Sequence, residues 1–323
     1  MNVLLIGATG FLGSEIQKTL TEQGINFKAT SRSPQSEEHF ITCNILDKES
    51  IREALKDCTH VIHAAGLVSH DKEDTETLWK IHVEGTRNVL EAVKETNIER
   101  VVYLSTSGTV AVSDDSENIP NENSESPFEL LKDWPYYRSK YFAEQIALDF
   151  AKNGLNLVSL NPSLLLGPDD PNGASTKSVQ LFLDDKIPLA PCGGVGFVDV
   201  RDVAEITVKA LSQGVSGERY LLNSSNMSFL EFYQRIARLA DKPAPLMKMP
   251  NVTRKALGWF PKLKKVGLHL RKEDVTLASY FWYADSTKAR ENLNFAPRDS
   301  MDTLFDTVDS LLKKEDDFSW FNE

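Results

Sequence analysis

The chain has 323 residues, 41% hydrophobic and 26% charged, a globular composition with a substantial core and room for one large domain or two lobes. A net charge of −11 excludes wholesale nucleic-acid binding, because phosphates would be repelled. Cys43, Cys58 and Cys192 are scattered and supply neither a disulfide framework nor a C-x-x-C zinc pair, which fits a reducing compartment.

The first segment, "MNVLLIGATG", goes straight into an apolar strand with no basic leader, and no apolar run approaches a membrane span. The expected location is cytoplasmic. Short apolar runs then alternate with amphipathic ones. Strands are predicted at "NVLLIG", "FKATSR", "HFITC", "HVIHAAG", "RVVYLSTS" and "NLVSLNPSLLLG". Helices are predicted between them, at "SEIQKTLTEQG", "SIREALKDC", "TLWKIHVEGTRNVLEAVKET" and "SKYFAEQIALDFAKNG". This alternation implies right-handed crossovers and a doubly wound parallel α/β sheet, with ligands at the carboxyl ends of its strands. Residues 112–126 read as one long polar loop.

Beyond Leu166 the alternation loosens. "GFVDVRDVAEITVKALSQG" and "RYLLN" read as a strand, a helix and another strand returning to the sheet. The remainder is mainly helical. The division expected is a dinucleotide-binding Rossmann domain at 1–165 plus about 195–223, and a smaller, mostly helical substrate lobe at about 166–194 plus 224–323.

Chemistry is concentrated in three places. In "GATGFLG", Gly7, Gly10 and Gly13 stand between a predicted strand and helix, the context that a pyrophosphate-binding turn requires. Gly7 permits the turn, Gly10 the close approach of a phosphate, and Gly13 close helix packing, with Thr9, Phe11 and Leu12 completing the loop. The second strand ends in Arg32 with no acid before Glu37. A guanidinium suits a ribose 2′-phosphate, so NADP(H) is favoured over NAD(H).

Strand five ends in the hydroxyls Ser105, Thr106 and Ser107; continued alternation puts Ser105 and Ser107 on one face with Thr106 turned away. "YYRSK" follows, with Tyr136 and Lys140 one helical turn apart. An ammonium beside a phenol favours the phenolate and lowers the tyrosine's pKa.

Together, "GATGFLG", "YLSTSGTV" and "YYRSK" resemble the extended short-chain dehydrogenase/reductase family. "HAAG", "VEGTRNVLEA", "NPSLLLGP", "GFVDVRDVA", "RYLL" and "DSTKARENLNFAPR" extend the resemblance over nearly the whole chain. It is nearest to dihydroflavonol-4-reductase-like and 3β-hydroxysteroid-dehydrogenase-like proteins. The resemblance implies Ser107 orienting a carbonyl, Tyr136 as general acid or base, and Lys140 tuning Tyr136 and holding the nicotinamide ribose. It also implies cofactor contacts from Ala64, Ala65 and Gly66, and from Pro162 and Ser163 along the nicotinamide. Two positions depart from the family: His82 stands where asparagine is frequent, and Asn44 where an aspartate commonly lies near the adenine.

The reading is therefore an NADPH-dependent oxidoreductase interconverting a carbonyl and an alcohol on a small apolar or aromatic substrate. The alternatives are a nucleotide-sugar epimerase or dehydratase and a non-catalytic NADP(H) sensor. "STSGTV" lacks the acid pair of sugar dehydratases, and "TVAVS" and "LVSLNPS" lack the arginine and "YG" signature of sugar epimerases. No metal site is expected, since His60 and His63 fall on opposite faces of a strand. Asp199, Arg201 and Asp202 read as an ion-pair network between the lobes. Residues 242–272 hold nine Lys or Arg and no acid, a mix suited to a membrane surface or an anionic ligand, though Pro261 and two glycines interrupt it. Pairing of helices into a homodimer is common in similar proteins.

Overall fold

The computed structural model describes residues 1–187, 189–249 and 272–319. β1 (Asn2–Ile6), β4 (His60–His63), β5 (Arg100–Leu104) and β6 (Leu157–Pro162) are almost continuously buried, as strands covered on both faces must be. With β2 (Asn26–Ser31), β3 (Phe40–Thr42) and β9 (Arg219–Leu222) they form a seven-stranded parallel sheet in the order β3-β2-β1-β4-β5-β6-β9. The order reverses between β1 and β4, and the crevice at such a switch point is where this fold takes ligands.

One face of the sheet is packed by α1 (Phe11–Glu22) and α8 (Val200–Lys209). The other is covered by α2 (Lys48–Leu55), α4 (Gly85–Lys94) and α6 (Pro135–Lys152), with α3 (Thr75–Trp79) and α5 (Phe128–Leu131) against α6. α6 starts with Pro135 at its first turn, where a missing N–H costs nothing.

A second sheet departs from the expected division. β7 (Leu164–Leu166) and β8 (Gly194–Asp199) pair in parallel, and β10 (Ser225–Ser228) and β11 (Phe281–Trp282) add to β8. The predicted strand "NLVSLNPSLLLG" thus divides at Ser163 between two sheets. β8, expected in the dinucleotide lobe, founds the second sheet, and only β9 returns to the first. Every residue of β8 is buried, so its sequence reads like a strand of either sheet; β10 and β11 are too short to show alternation. α7 (Lys177–Leu183), α9 (Phe229–Leu239) and α12 (Ser300–Ser319) enclose this sheet, while α10 (Lys272–Leu277) precedes β11 and α11 (Thr287–Leu293) packs on β9.

Asp199 caps α8 by accepting from the Arg201 N–H, and Arg201 bridges Asp199 at 2.7 Å to Asp306 of α12 at 2.6 Å. Arg298 adds a 2.8 Å pair to Asp202. The 112–126 loop has its own anchor, since the Glu122 carboxylate accepts from the Leu221 N–H at 2.7 Å and covers part of the open edge of β9. Most of the basic 242–272 segment lies outside the described residues, and none of the described helices is long and apolar enough to cross a membrane.

Candidate active site

The glycine turn is held by contacts that no other residue would allow. Gly7 has φ +94°, and a Cβ on it would lie 2.5 Å from the Ala65 nitrogen. A Cβ on Gly13 would stand 2.1 Å from the Gly7 carbonyl oxygen, so α1 starts in direct contact with the turn. At Gly10 the nearest atom is an ordinary 3.5 Å away, so the protein's own packing does not require glycine there. That open space at the N-terminus of α1 fits a pyrophosphate. No side chain caps this helix end and its first turn has no acid, leaving N–H groups and the positive dipole end for an anion. Thr9 is exposed at the same turn, whereas Phe11 and Leu12 pack inward and offer their backbone.

The other expected cofactor residues line the carboxyl edge. Ala64, Ala65 and Gly66 continue from β4, with the Ala64 N–H bonded to Ile6 at 2.8 Å. Arg32 follows directly on β2 and is exposed, with no carboxylate in ion-pair distance among the described residues. Asn44 uses its side-chain oxygen to accept from the Leu46 N–H at 3.0 Å, closing a local turn. Pro162 ends β6; the Ser163 hydroxyl lies 3.1 Å from the Leu222 carbonyl and 2.9 Å from Asn223 Oδ1, so it ties β6 to the end of β9.

The strand-five hydroxyls differ from expectation. β5 stops at Leu104, and a 3₁₀ turn over Ser107–Thr109 follows with Thr106 as its cap, accepting from the Gly108 N–H. Strand alternation therefore does not extend through these residues. The side chain that acts on the Tyr136 phenol is that of Thr106, which favours its ionised form, while Ser107 is buried. Thr106 escapes the alternation rule because the strand has already ended at Leu104.

Lys140 also departs from its expected partner. Its Nζ donates to the Leu104 carbonyl at 2.8 Å and lies 5.1 Å from the centre of the Tyr103 ring. Burial pushes its pKa down to about 8, opposed by the charge of Glu144. Tyr136 is not lowered. Burial pushes it up to about 12, and the Thr106 side chain offsets only part of this. Helical spacing aligns the two residues, but the lysine side chain runs to the end of β5.

His82 sits in a single π turn, Lys80–Glu84, and both ring nitrogens are engaged. The Leu67 N–H donates to Nε2 at 3.0 Å, so the proton is on Nδ1, which donates to Ser139 Oγ at 2.8 Å. The Ser139 hydroxyl in turn donates to the Tyr136 carbonyl at 2.8 Å. Burial, with Lys140 adding to it, pushes the imidazole down to about 2. His82 therefore acts as a neutral strut between the loop after β4 and the start of α6, with no free nitrogen to relay a proton.

The second sheet reaches the site through aromatic contacts. Tyr137 lies 4.8 Å, ring to ring, from Trp282 of β11 and 5.0 Å from Tyr136, within an apolar group that includes Val112, Leu131 and Leu277. A Cβ on Gly108 would strike the Tyr137 ring at 2.7 Å, which makes this tyrosine a packing residue. Among the described residues no group of histidines, cysteines and acids could hold a metal.

Residues 3–222 match the NAD dependent epimerase/dehydratase family. The chain belongs to that family. It is an enzyme, an NAD(P)-dependent oxidoreductase working on carbonyl and CH–OH groups. It is 29% identical to a putative dihydroflavonol 4-reductase of Synechocystis sp., over 94% of this chain and 92% of the relative. It is 32% identical to cinnamoyl-CoA reductase 1 of Arabidopsis thaliana, over 75% of this chain and 76% of the relative. Among solved structures, gox2253 matches with a TM-score of 0.81 at 26% identity, covering 97% of this chain and 98% of that one. A Thermus thermophilus UDP-glucose 4-epimerase solved with NAD has a TM-score of 0.71 at 21% identity, covering 97% and 99%, a likeness of fold alone.

Proposed function

We propose that the protein is an NADPH-dependent reductase of ketones or aldehydes on apolar or aromatic substrates, with Thr106, Tyr136 and Lys140 at the reacting carbonyl. The observation that carries this is the Tyr136 phenol, set beside Thr106 at the carboxyl edge of the sheet and held protonated by burial. A phenol with its pKa near 12 is a proton donor at neutral pH, which suits reduction over oxidation.

A bound dinucleotide would supply the hydride. The N–H groups at the start of α1 would hold its pyrophosphate, and Arg32 its 2′-phosphate. Thr106 and Tyr136 donate hydrogen bonds to the carbonyl oxygen, and the Tyr136 proton moves to that oxygen as the alkoxide develops. Lys140 brings an ammonium group to the end of β5, where positive charge stabilises the phenolate left behind. Residues 1–165 with α8 and β9 serve the cofactor; the second sheet and its helices serve the substrate. The apolar group around Tyr137, Trp134, Tyr280 and Trp282 supports an apolar or aromatic substrate.

The test follows NADPH and NADH oxidation over a panel of aliphatic, aromatic and steroid ketones and aldehydes, in wild type and Arg32→Ala. Expected are turnover of an apolar or aromatic carbonyl with NADPH and a rise in the KM for NADPH of about tenfold or more in the variant, from loss of a charged hydrogen bond. The KM for NADH stays unchanged. Wild type that binds NADPH yet reduces nothing in the panel would contradict the reading.

A further inference from the structure

α6 carries a third ionisable residue one turn beyond Lys140. Glu144 is fully buried. Its Oε1 accepts from Asn161 Nδ2 at 2.6 Å and from Ser159 Oγ at 3.1 Å, but its Oε2 has no hydrogen-bond partner. Arg219 approaches that oxygen only to 3.9 Å, from a partly exposed position on β9. An anion is so costly to bury with one oxygen unsatisfied that packing alone gives no reason for it.

Lys140 has the complementary difficulty, since its buried ammonium donates to a single neutral carbonyl, Leu104. The groups facing it come from each surrounding element. β4 gives His63, held neutral by burial; the π turn gives neutral His82; β5 gives Tyr103; and β9 adds Arg219 behind Glu144. Glu144 brings the one carboxyl group to this cluster. The Tyr136, Lys140, Glu144 spacing places all three on one face of the helix.

We propose that Glu144 is a positioning residue whose buried carboxylate keeps Lys140 in its ammonium form beneath the active site. The hydrogen bonds from Asn161 and Ser159 hold the carboxylate on β6, so the counter-charge is fixed to the sheet. The consequence for turnover rests on the catalytic role proposed above for Lys140; the charge itself does not.

The experiment titrates lysine labelled with ¹³C at Cε by NMR, assigning the Lys140 signal by its loss in Lys140→Met. In Glu144→Gln the Lys140 midpoint falls by one pH unit or more, a tenfold change in the ratio of ammonium to amine. In Glu144→Asp, which keeps the charge but withdraws it by one methylene, the midpoint falls by less. An unchanged midpoint in Glu144→Gln, or equal falls in both variants, would overturn the proposal. Should the Gln variant fail to fold, Glu144→Met, which also removes the charge, takes its place, and an unchanged midpoint there does the same. The alkaline limb of kcat/KM moves down with the midpoint. A midpoint that moves while the limb stays would leave the counter-charge standing and remove Lys140 from the reaction.

Discussion

The two faces of the seven-stranded sheet follow different rules. Against α1 and α8, the strands contribute Val3, Leu5, Ile62, Val102, Val158 and Leu160, and the buried ionisable groups that β4 and β5 add on that side, His60 and Arg100, stand at their amino ends, away from the site. Against α4 and α6, the alternate residues start equally apolar, with Leu4, Val61, Val101 and Leu157. Towards the carboxyl ends they give way to His63, Tyr103, Ser159 and Asn161, facing Lys140 and Glu144. One face supplies stability and the other gives up part of it to hold polar groups in place. The sheet makes both possible because a period of two lets each strand serve two environments independently.

That contrast has consequences that mutation and pH can break. On the apolar face, Leu20→Ala should cost about 2–5 kcal/mol, as large-to-small changes at fully buried sites do. Chemical denaturation should give the same loss at pH 7 and pH 5.5, with activity per folded molecule unchanged. A loss that depends on pH would show that the faces are not independent.

The polar face should respond to acid. Burial pushes the pKa of His63 down to about 3 and of His82 to about 2. Unfolded imidazoles titrate near 6.5, so below that pH the unfolded chain binds more protons and stability falls, by about 1.4 kcal/mol per pH unit for each ring. Between pH 6.5 and pH 5 the two rings together remove about 3 kcal/mol, because the slope reaches its full value only below the unfolded pKa. His82→Asn should halve their contribution, read as a shallower dependence of unfolding free energy on pH. An identical slope in variant and wild type would mean that His82 is not held neutral.

At the mouth of the polar face, Thr106→Val removes a hydroxyl at nearly constant shape. Activity should fall roughly 10- to 100-fold, the value of one hydrogen bond to developing charge. Ser107→Ala should stay within a few-fold. The opposite ranking would return the carbonyl-orienting role to Ser107.

Legibility followed the same division. The glycine turn could be read because Gly7 and Gly13 are required by local backbone geometry, which sequence context reports directly. Tyr136 and Lys140 were visible as a helical pair, yet the direction taken by the lysine was not, since it depends on where β5 ends. The same unseen strand end concealed Thr106. Glu144 did leave a signal, a third residue at helical spacing on a face whose neighbours Ala143 and Ala147 are apolar. A buried carboxylate is identified only once β6 brings Asn161 and Ser159 to it from across the sheet. β8 was misplaced because uniform burial erases the alternation that would have named its partners.

The most direct measurement is the rate of NADPH oxidation by Tyr136→Phe with the best carbonyl substrate of the wild-type enzyme. Removing a general acid should lower kcat by about 10²–10⁴-fold. NADPH binding, followed by fluorescence, should be unchanged, because the pyrophosphate turn and Arg32 lie elsewhere. Turnover within a few-fold of wild type would contradict the assignment of the proton to Tyr136, and with it the account of the polar face.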